Sequence, residues 1–489
     1  MKKLTSCLFL LLFAIAAGSQ TVAQKADELL KAYADQYKFH GAVLIAKGNA
    51  ILLNKGYGFS NFGEKKENTE ASIFQIGSIT KQFTAALILK LQEEGKLSVN
   101  DKLSKYFPQF PNGDKITIHH LLTHTSGIYN YTNNAQAMQN VGTKPVDQAT
   151  MFSLFEGKPL DFEPGSKYSY SNSGYVLLGY IIEKVTGKSW EASVRESILA
   201  PLKMHNTGFD YAGLKNAAKT TGYFSLSEVG AIPAPIIDST FSYAAGSVYT
   251  TTTDLLKWQR AIAKGTLLKK ESWKKAMTPV KEGYGYGLVM DSLYGQKRVH
   301  HGGSIYGYMS YAVLFPEQDY TMIVLSNASN NVGRLTNDLA AILYNKPYTI
   351  PVANKEIKLD DAVLQQFVGE YQLAPNFSIN FTLKEAYLYG QATGQPAFQP
   401  VGVGPIQQRR LRVAGQGDGR RSPRPRHSNR LHQPAHARLE AVAGQASRPA
   451  PDICLIVCPE HHSRNGCSLP FANPSCRLLL PKPGFIRAP

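Results

Sequence analysis

The chain has 489 residues, 43% of them hydrophobic and 18% charged, which is enough to bury a sizeable core in one large domain with an appendage. Its formal net charge of +17 invites a nucleic-acid or membrane-surface reading, but the excess is unevenly placed. Residues 401–489 hold 13 Arg and one Lys against four acidic residues, whereas the preceding 400 hold 39 basic and 32 acidic residues, so a nucleic-acid partner is not expected.

Residues 1–23 read as a secretory signal: Lys2 and Lys3, an apolar run from Leu8 to Ala17, then small residues around Thr21-Val22-Ala23. The expectation is a secreted or periplasmic protein without an integral membrane span, the apolar run being too short for one. Cys7 precedes the apolar run, which argues against lipidation, and no other cysteine occurs before Pro400. Disulfides and a thiol nucleophile are thereby excluded from that part of the chain.

Residues 26–36 predict a short amphipathic helix, and residues 41–58 a hairpin turning at Gly48-Asn49. The stretch FQIGSITKQFTAALILK, residues 74–90, predicts a helix with Ser78 at its start and an end near Gly95. Ser78 and Lys81 are about one helical turn apart and share a face. A serine hydroxyl needs a neighbouring base to become a nucleophile, and an amine serves if burial lowers its pKa. The free N–H groups at a helix start also favour negative charge beside Ser78. The spacing alone is weakly specific: Ser272 and Lys275 repeat it in KKESWKKAM, which reads as a solvated helix without a buried apolar face.

Helices and loops dominate to about residue 259. His119, His120 and His124 have metal-like spacing but no accompanying carboxylate, so they read as helix residues and no metal site is expected. FEPGSKYSYSN, residues 162–172, is a turn-rich loop leading into an apolar helix over 174–185. It places Tyr170 and Asn172 two residues apart, suited to relaying a proton and holding a substrate carbonyl or amide. The alternative is a loop tyrosine followed by an Asx cap, and Tyr131-Thr132-Asn133 repeats the pattern. Strand patterns return in YGYGLVM, RVHHGGS, MSYAVLFP and YTMIVLSN, followed by a helix over 332–343. Gly302 and Gly303 let the second of these approach something closely, and an exposed N–H there, with that of Ser78, would form an oxyanion hole; the alternative is a glycine bulge in an ordinary strand. Strands at both ends around a helical middle imply an α+β domain over 24–350, one antiparallel sheet covered by a helical subdomain.

Residues 355–400 read as short strands of a second, β-rich domain. Beyond residue 400 the usage changes abruptly: no Tyr, four of the five Cys and 12 of the 27 Pro. The tail reads as an out-of-frame translation, or else a disordered basic arm. Its Cys454, Cys458, His461, His462 and Cys467 are not taken as a zinc site.

Taken in order, GSITK, LLTHTSGI, EPGSKYSYSNSGYVLLGYIIE and HHGGS resemble the serine β-lactamase and penicillin-binding-protein superfamily, over roughly residues 26–345. The branch resembled is that of class C β-lactamases, family VIII carboxylesterases and D-amino-acid-specific peptidases. The resemblance implies the β-lactamase/transpeptidase-like fold with the start of a small C-terminal β-barrel domain, no cofactor, and a covalent acyl-enzyme. It implies Ser78 as nucleophile, Lys81 as proton acceptor, Tyr170 as proton relay, and Asn172, His301 and Gly303 as substrate-binding positions. The N–H groups of Ser78 and Ser304 would form the oxyanion hole, and which of Lys81 and Tyr170 is the base stays open. The third motif begins with His301 where the family usually carries lysine. A histidine is mostly neutral above pH 7, so efficient β-lactam hydrolysis is not expected; the expected substrate is a small-molecule ester, with a β-lactam or a D-amino-acid peptide as alternatives. A penicillin-recognising binder or sensor with little turnover shares the same motifs.

Overall fold

The computed structural model describes residues 20–228, 230–330, 332–352, 361–374, 377–384, 387–392 and 440–441. The predicted signal up to residue 19 and all of the tail except Glu440–Ala441 lie outside them. The chain divides into two compact units after Pro351.

In the first unit, helix α1 (Val22–Asp35) starts four residues earlier than its periodicity implies, because Thr21 caps it reciprocally with Gln24. Strands β1 (Gly41–Lys47) and β2 (Ala50–Tyr57) form the expected hairpin. Late in the chain come β5 (Val289–Leu293), β6 (Gln296–Ile305), β7 (Tyr308–Phe315) and β8 (Tyr320–Ser326), then α8 (Gly333–Leu343). They assemble one antiparallel sheet in the order β2-β1-β8-β7-β6-β5, so β1 pairs directly with β8, Gly41 opposite Ser326. N- and C-terminal strands thus share the sheet as the pattern implied.

Both faces of this sheet are buried. On β1, Ala42, Leu44 and Ala46 point into the larger core beneath the helical part, while Val43 and Ile45 join a second core. Leu29 and Leu30 of α1 and Leu335 and Leu339 of α8 complete that second core. The period-two alternation of strands explains how one apolar run feeds both layers.

The helical part centres on α2 (Thr80–Glu93), enclosed on all sides from Thr80 to Leu89. Around it lie α3 (Ile118–Leu122), α4 (Asn172–Thr186), α5 (Ser239–Gly246), α6 (Thr252–Lys264) and α7 (Lys270–Ala276), with a small hairpin of β3 (Tyr223–Ser227) and β4 (Gly230–Pro233) that periodicity did not reveal. The reading of α7 as a solvated helix is corrected: Trp273 and Ala276 belong to the main core and Ser272 is buried.

In the second unit, strands Gly369–Ala374, Phe377–Lys384 and Tyr387–Ala392 form an antiparallel meander, joined on the Gly369–Ala374 side by Glu440–Ala441. The expected strands are present, and a closed barrel is not seen among the described residues.

Candidate active site

From Ser72 to Leu89 every residue is buried except Ser78. Ser78 sits in a single 3-10 turn, Gly77–Ile79, that leads into α2. Gly77 has φ +48°, and a Cβ on it would lie 2.8 Å from the Ser304 carbonyl oxygen and 2.9 Å from the Ser304 nitrogen. A Cβ on Gly303 would lie 1.9 Å from Ile76 O. Glycine at both positions therefore lets the Ser78 turn press directly onto the β6 backbone. Strand β5 covers β6 only as far as His300, so from His301 onward that side of β6 carries no strand. Ser304 is exposed there, and its peptide faces the turn.

Lys81, one turn further on, is fully buried. Its Nζ lies 3.0 Å from Ser78 Oγ, 2.7 Å from Asn172 Oδ1 and 2.8 Å from Ala245 O. No carboxylate pairs with it among the described residues, and burial holds its pKa well below the usual lysine range. A neutral amine in this setting donates to Asn172 and Ala245 and offers its lone pair to the Ser78 hydroxyl. That arrangement can accept the serine proton without moving a heavy atom.

Asn172 is the first residue of α4 rather than a loop residue. Besides holding Lys81, its Nδ2 donates to Thr132 Oγ1 at 3.0 Å, and its N–H donates to Asn130 Oδ1. Both ends of the carboxamide are thus engaged. The second Tyr-x-Asn contributes through its middle residue: Tyr131 itself donates to Phe241 O inside the core.

Tyr170 is partly covered, but its hydroxyl is enclosed and without a hydrogen-bond partner among the described residues. Burial pushes its ionisation well above the usual tyrosine range. Lys81 Nζ lies 4.8 Å from the centre of its ring.

His301 is buried, with both ring nitrogens engaged inside the protein. The Gly302 carbonyl beside Nδ1 can only accept, so Nδ1 carries the hydrogen and Nε2 accepts from Tyr284 O–H at 2.9 Å. Burial pushes the imidazole down to about 3. His301 presents a neutral ring to its surroundings rather than a fixed charge.

Two residues of this cluster escaped the sequence pattern. Tyr284 lies in YGYG, read as strand but folded as a loop before β5. His124 is corrected from a helix residue: α3 ends at Leu122, and His124 stands beyond it with φ +56°. Its Nδ1 accepts from Ser171 N–H at 3.1 Å and its carbonyl from Ser169 N–H, which pins the loop carrying Tyr170. Its ring centre is 4.1 Å from that of Tyr170 and 4.6 Å from that of Tyr284. A histidine between two buried threonines, Thr123 and Thr125, was the available signal. His119 and His120 have structural partners, Tyr286 O–H and the Thr117 cap. Among the described residues no three His, Cys, Asp or Glu side chains gather as a metal would require. Ser272 is buried and Lys275 is exposed, so the second Ser-x-x-Lys forms no comparable pair.

A sheet built from both chain ends, with an accessible serine and a buried lysine between it and a helical subdomain, defines the β-lactamase/transpeptidase-like class. The beta-lactamase family profile matches residues 26–345, and the chain belongs to that family. It is 30% identical to penicillin-binding protein 4* of Bacillus subtilis over 392 residues, covering 75% of this chain and 87% of that one. Among solved structures, the octameric penicillin-binding protein homologue of Pyrococcus abyssi is 28% identical with a TM-score of 0.60, covering 75% of this chain and 89% of its own. A D-stereospecific amidohydrolase from Streptomyces sp. is 29% identical with a TM-score of 0.55, covering 64% and 95%. The family includes hydrolases, as these neighbours illustrate.

Proposed function

We propose that this protein is an exported serine hydrolase that works through an acyl-enzyme on uncharged acyl derivatives, carboxylic esters foremost. The observation that carries the reading is the 3.0 Å contact between Ser78 Oγ and a fully buried Lys81 Nζ that has no counter-ion among the described residues. In this scheme Ser78 Oγ bonds to the substrate carbonyl carbon and its proton passes to Lys81. The opposite pKa shifts divide the labour: a neutral amine accepts, and the neutral phenol of Tyr170 donates toward the leaving group. The negative oxygen is held by the N–H groups of Ser78 and Ser304. Water then attacks the ester so formed, giving its proton back through the same pair and releasing the acid.

The neutral, inward-held His301 supports an ester over a substrate bearing a free carboxylate, for which a fixed cation would be useful. Likeness to the Streptomyces D-stereospecific amidohydrolase favours a second reading, a D-amino-acid amide or peptide. Export rests on the apolar, lysine-led start of the chain.

The test is steady-state hydrolysis of p-nitrophenyl butyrate, nitrocefin and a D-amino-acid p-nitroanilide by the protein and by Ser78→Ala. Ester turnover that disappears in the variant, with little nitrocefin turnover, supports the proposal. Rapid nitrocefin turnover refutes the argument from His301, preferential anilide turnover establishes the second reading, and absence of Ser78-dependent turnover points to a penicillin-recognising binder.

A further inference from the structure

Tyr243 breaks α5 in two, with φ +38° and ψ −139°, angles that glycine adopts freely and other residues only under strain. Strain of this kind persists only where the surroundings fix it. Here the Tyr243 phenol donates to Glu183 Oε1, its ring stacks on Tyr180 with centres 4.8 Å apart, and it meets Trp190 at 5.5 Å. Glu183 Oε1 is itself held by the Trp190 N–H at 2.9 Å. Gly179 of α4 makes the room: a Cβ there would lie 2.5 Å from Tyr243 Cε1 and 2.6 Å from Ala244 Cβ.

The consequence of the kink falls on the next two peptides. α5 ends at Gly246, so the carbonyls of residues 244 and 245 lie in its last turn, where no N–H of the helix reaches them. Instead Ala244 O accepts from Thr84 Oγ1 at 2.7 Å and Ala245 O accepts from Lys81 Nζ at 2.8 Å. The Val248 N–H, freed in the same way, donates to Thr80 Oγ1 at 3.1 Å. Upstream, Phe241 O is tied to the Tyr131 hydroxyl at 2.8 Å. Three polar side chains of α2 therefore grip the main chain that follows Tyr243.

We propose that Tyr243 is a positioning residue for the reaction: locked by Glu183, Tyr180 and Trp190, it aims the Ala245 carbonyl at Lys81 and so orients the amine toward Ser78. Of the three groups around Nζ, Asn172 and Ala245 O fix two directions, and the third is then directed at the serine. The proposal rests on the reading of Ser78 and Lys81 as the acylating pair.

The test is the rate at which a fluorophosphonate labels Ser78 in the full chain, followed by intact mass between pH 5 and 10, with Ser78→Ala as control. Tyr243→Ala keeps a Cβ at strained angles but removes the ring that enforces them. Labelling should slow by about tenfold or more, and the pH at which it switches on should move. Tyr243→Gly also loses the ring but adopts the same angles without strain, so it should slow labelling clearly less than Tyr243→Ala. A purely architectural tyrosine gives no such order, because glycine then does no better than alanine. Equal rates for the two variants, or an unchanged pH profile in Tyr243→Ala, would overturn the proposal. Should Tyr243→Ala not fold, Gly179→Ala pushes on Tyr243 and Ala244 from within a helix that tolerates alanine. It should slow labelling and move the pH profile in the same way, and an unchanged profile would again overturn the proposal. If the unaltered chain is not labelled at Ser78, the acylating pair itself is refuted rather than the role of Tyr243.

Discussion

Adding one methyl group at residue 303 should disable the site while leaving the fold standing. A Cβ on Gly303 would lie 1.9 Å from Ile76 O and 2.3 Å from Ser310 Oγ, and these two groups are hydrogen-bonded to each other at 2.8 Å. Ordinary contact begins near 3.4 Å. Strand β6 and the Ser78 turn must therefore separate by about 1.5 Å, far more than packed atoms accommodate without a backbone shift. Oxyanion donors act over about 2.7–3.1 Å, so this displacement removes the Ser304 N–H from a group held by Ser78. Losing one such donor lowers kcat by about a hundredfold to a thousandfold, or roughly 3–4 kcal/mol. Gly302→Ala is the internal control, since its Cβ meets nothing nearer than the Tyr311 ring at 3.3 Å. The measurement is kcat for p-nitrophenyl butyrate in both variants, with far-UV circular dichroism to establish folding. Gly303→Ala within about threefold of the unaltered chain would refute the claim that this close approach builds the site. So would equal losses in the two variants.

Three further outcomes follow from the same geometry. Tyr284→Phe leaves His301 Nε2 buried without a donor, and urea unfolding should show a loss of about 1–3 kcal/mol. His301 has a folded pKa of about 3, below its unfolded value, so the unfolded chain binds the extra proton first. Stability is complete above about pH 6.5 and should fall as pH drops toward 3, and His301→Gln should flatten that fall by about 1 kcal/mol per pH unit. His124 and His40 are shifted in the same direction, so some slope should remain; an unchanged slope in His301→Gln would refute the assignment. Lys275→Ala, at the exposed end of the second Ser-x-x-Lys, should leave ester turnover unchanged, and a tenfold loss would show that spacing rather than burial selects the lysine.

Local chemistry made much of this protein legible in one dimension. The Gly48-Asn49 turn between two apolar runs specifies the hairpin, and short runs of apolar, β-branched and aromatic residues late in the chain specify the remaining strands of the sheet, because both depend on neighbouring residues alone. The same is true of Ser78 and Lys81: one helical turn fixes their separation before anything else folds. The order of GSITK, the Tyr170 loop and HHGGS sufficed to indicate the family. Contacts between distant segments were invisible to such reasoning. Lys81 becomes a buried neighbour of Ser78 with a lowered pKa only because Asn172 and Ala245, 91 and 164 residues away, close around it. The inward turn of His301 depends on Tyr284, and the hold on the Tyr170 loop depends on His124 in a left-handed conformation that no periodicity announces. The Trp273 face of α7 was misjudged for the same reason, since burial is a property of what packs against a helix. Sequence alone therefore determined most of the elements of the main sheet and the Ser78–Lys81 pair. Tertiary structure decided their protonation and direction, because desolvation and hydrogen-bond partners come from the whole fold rather than from the local chain.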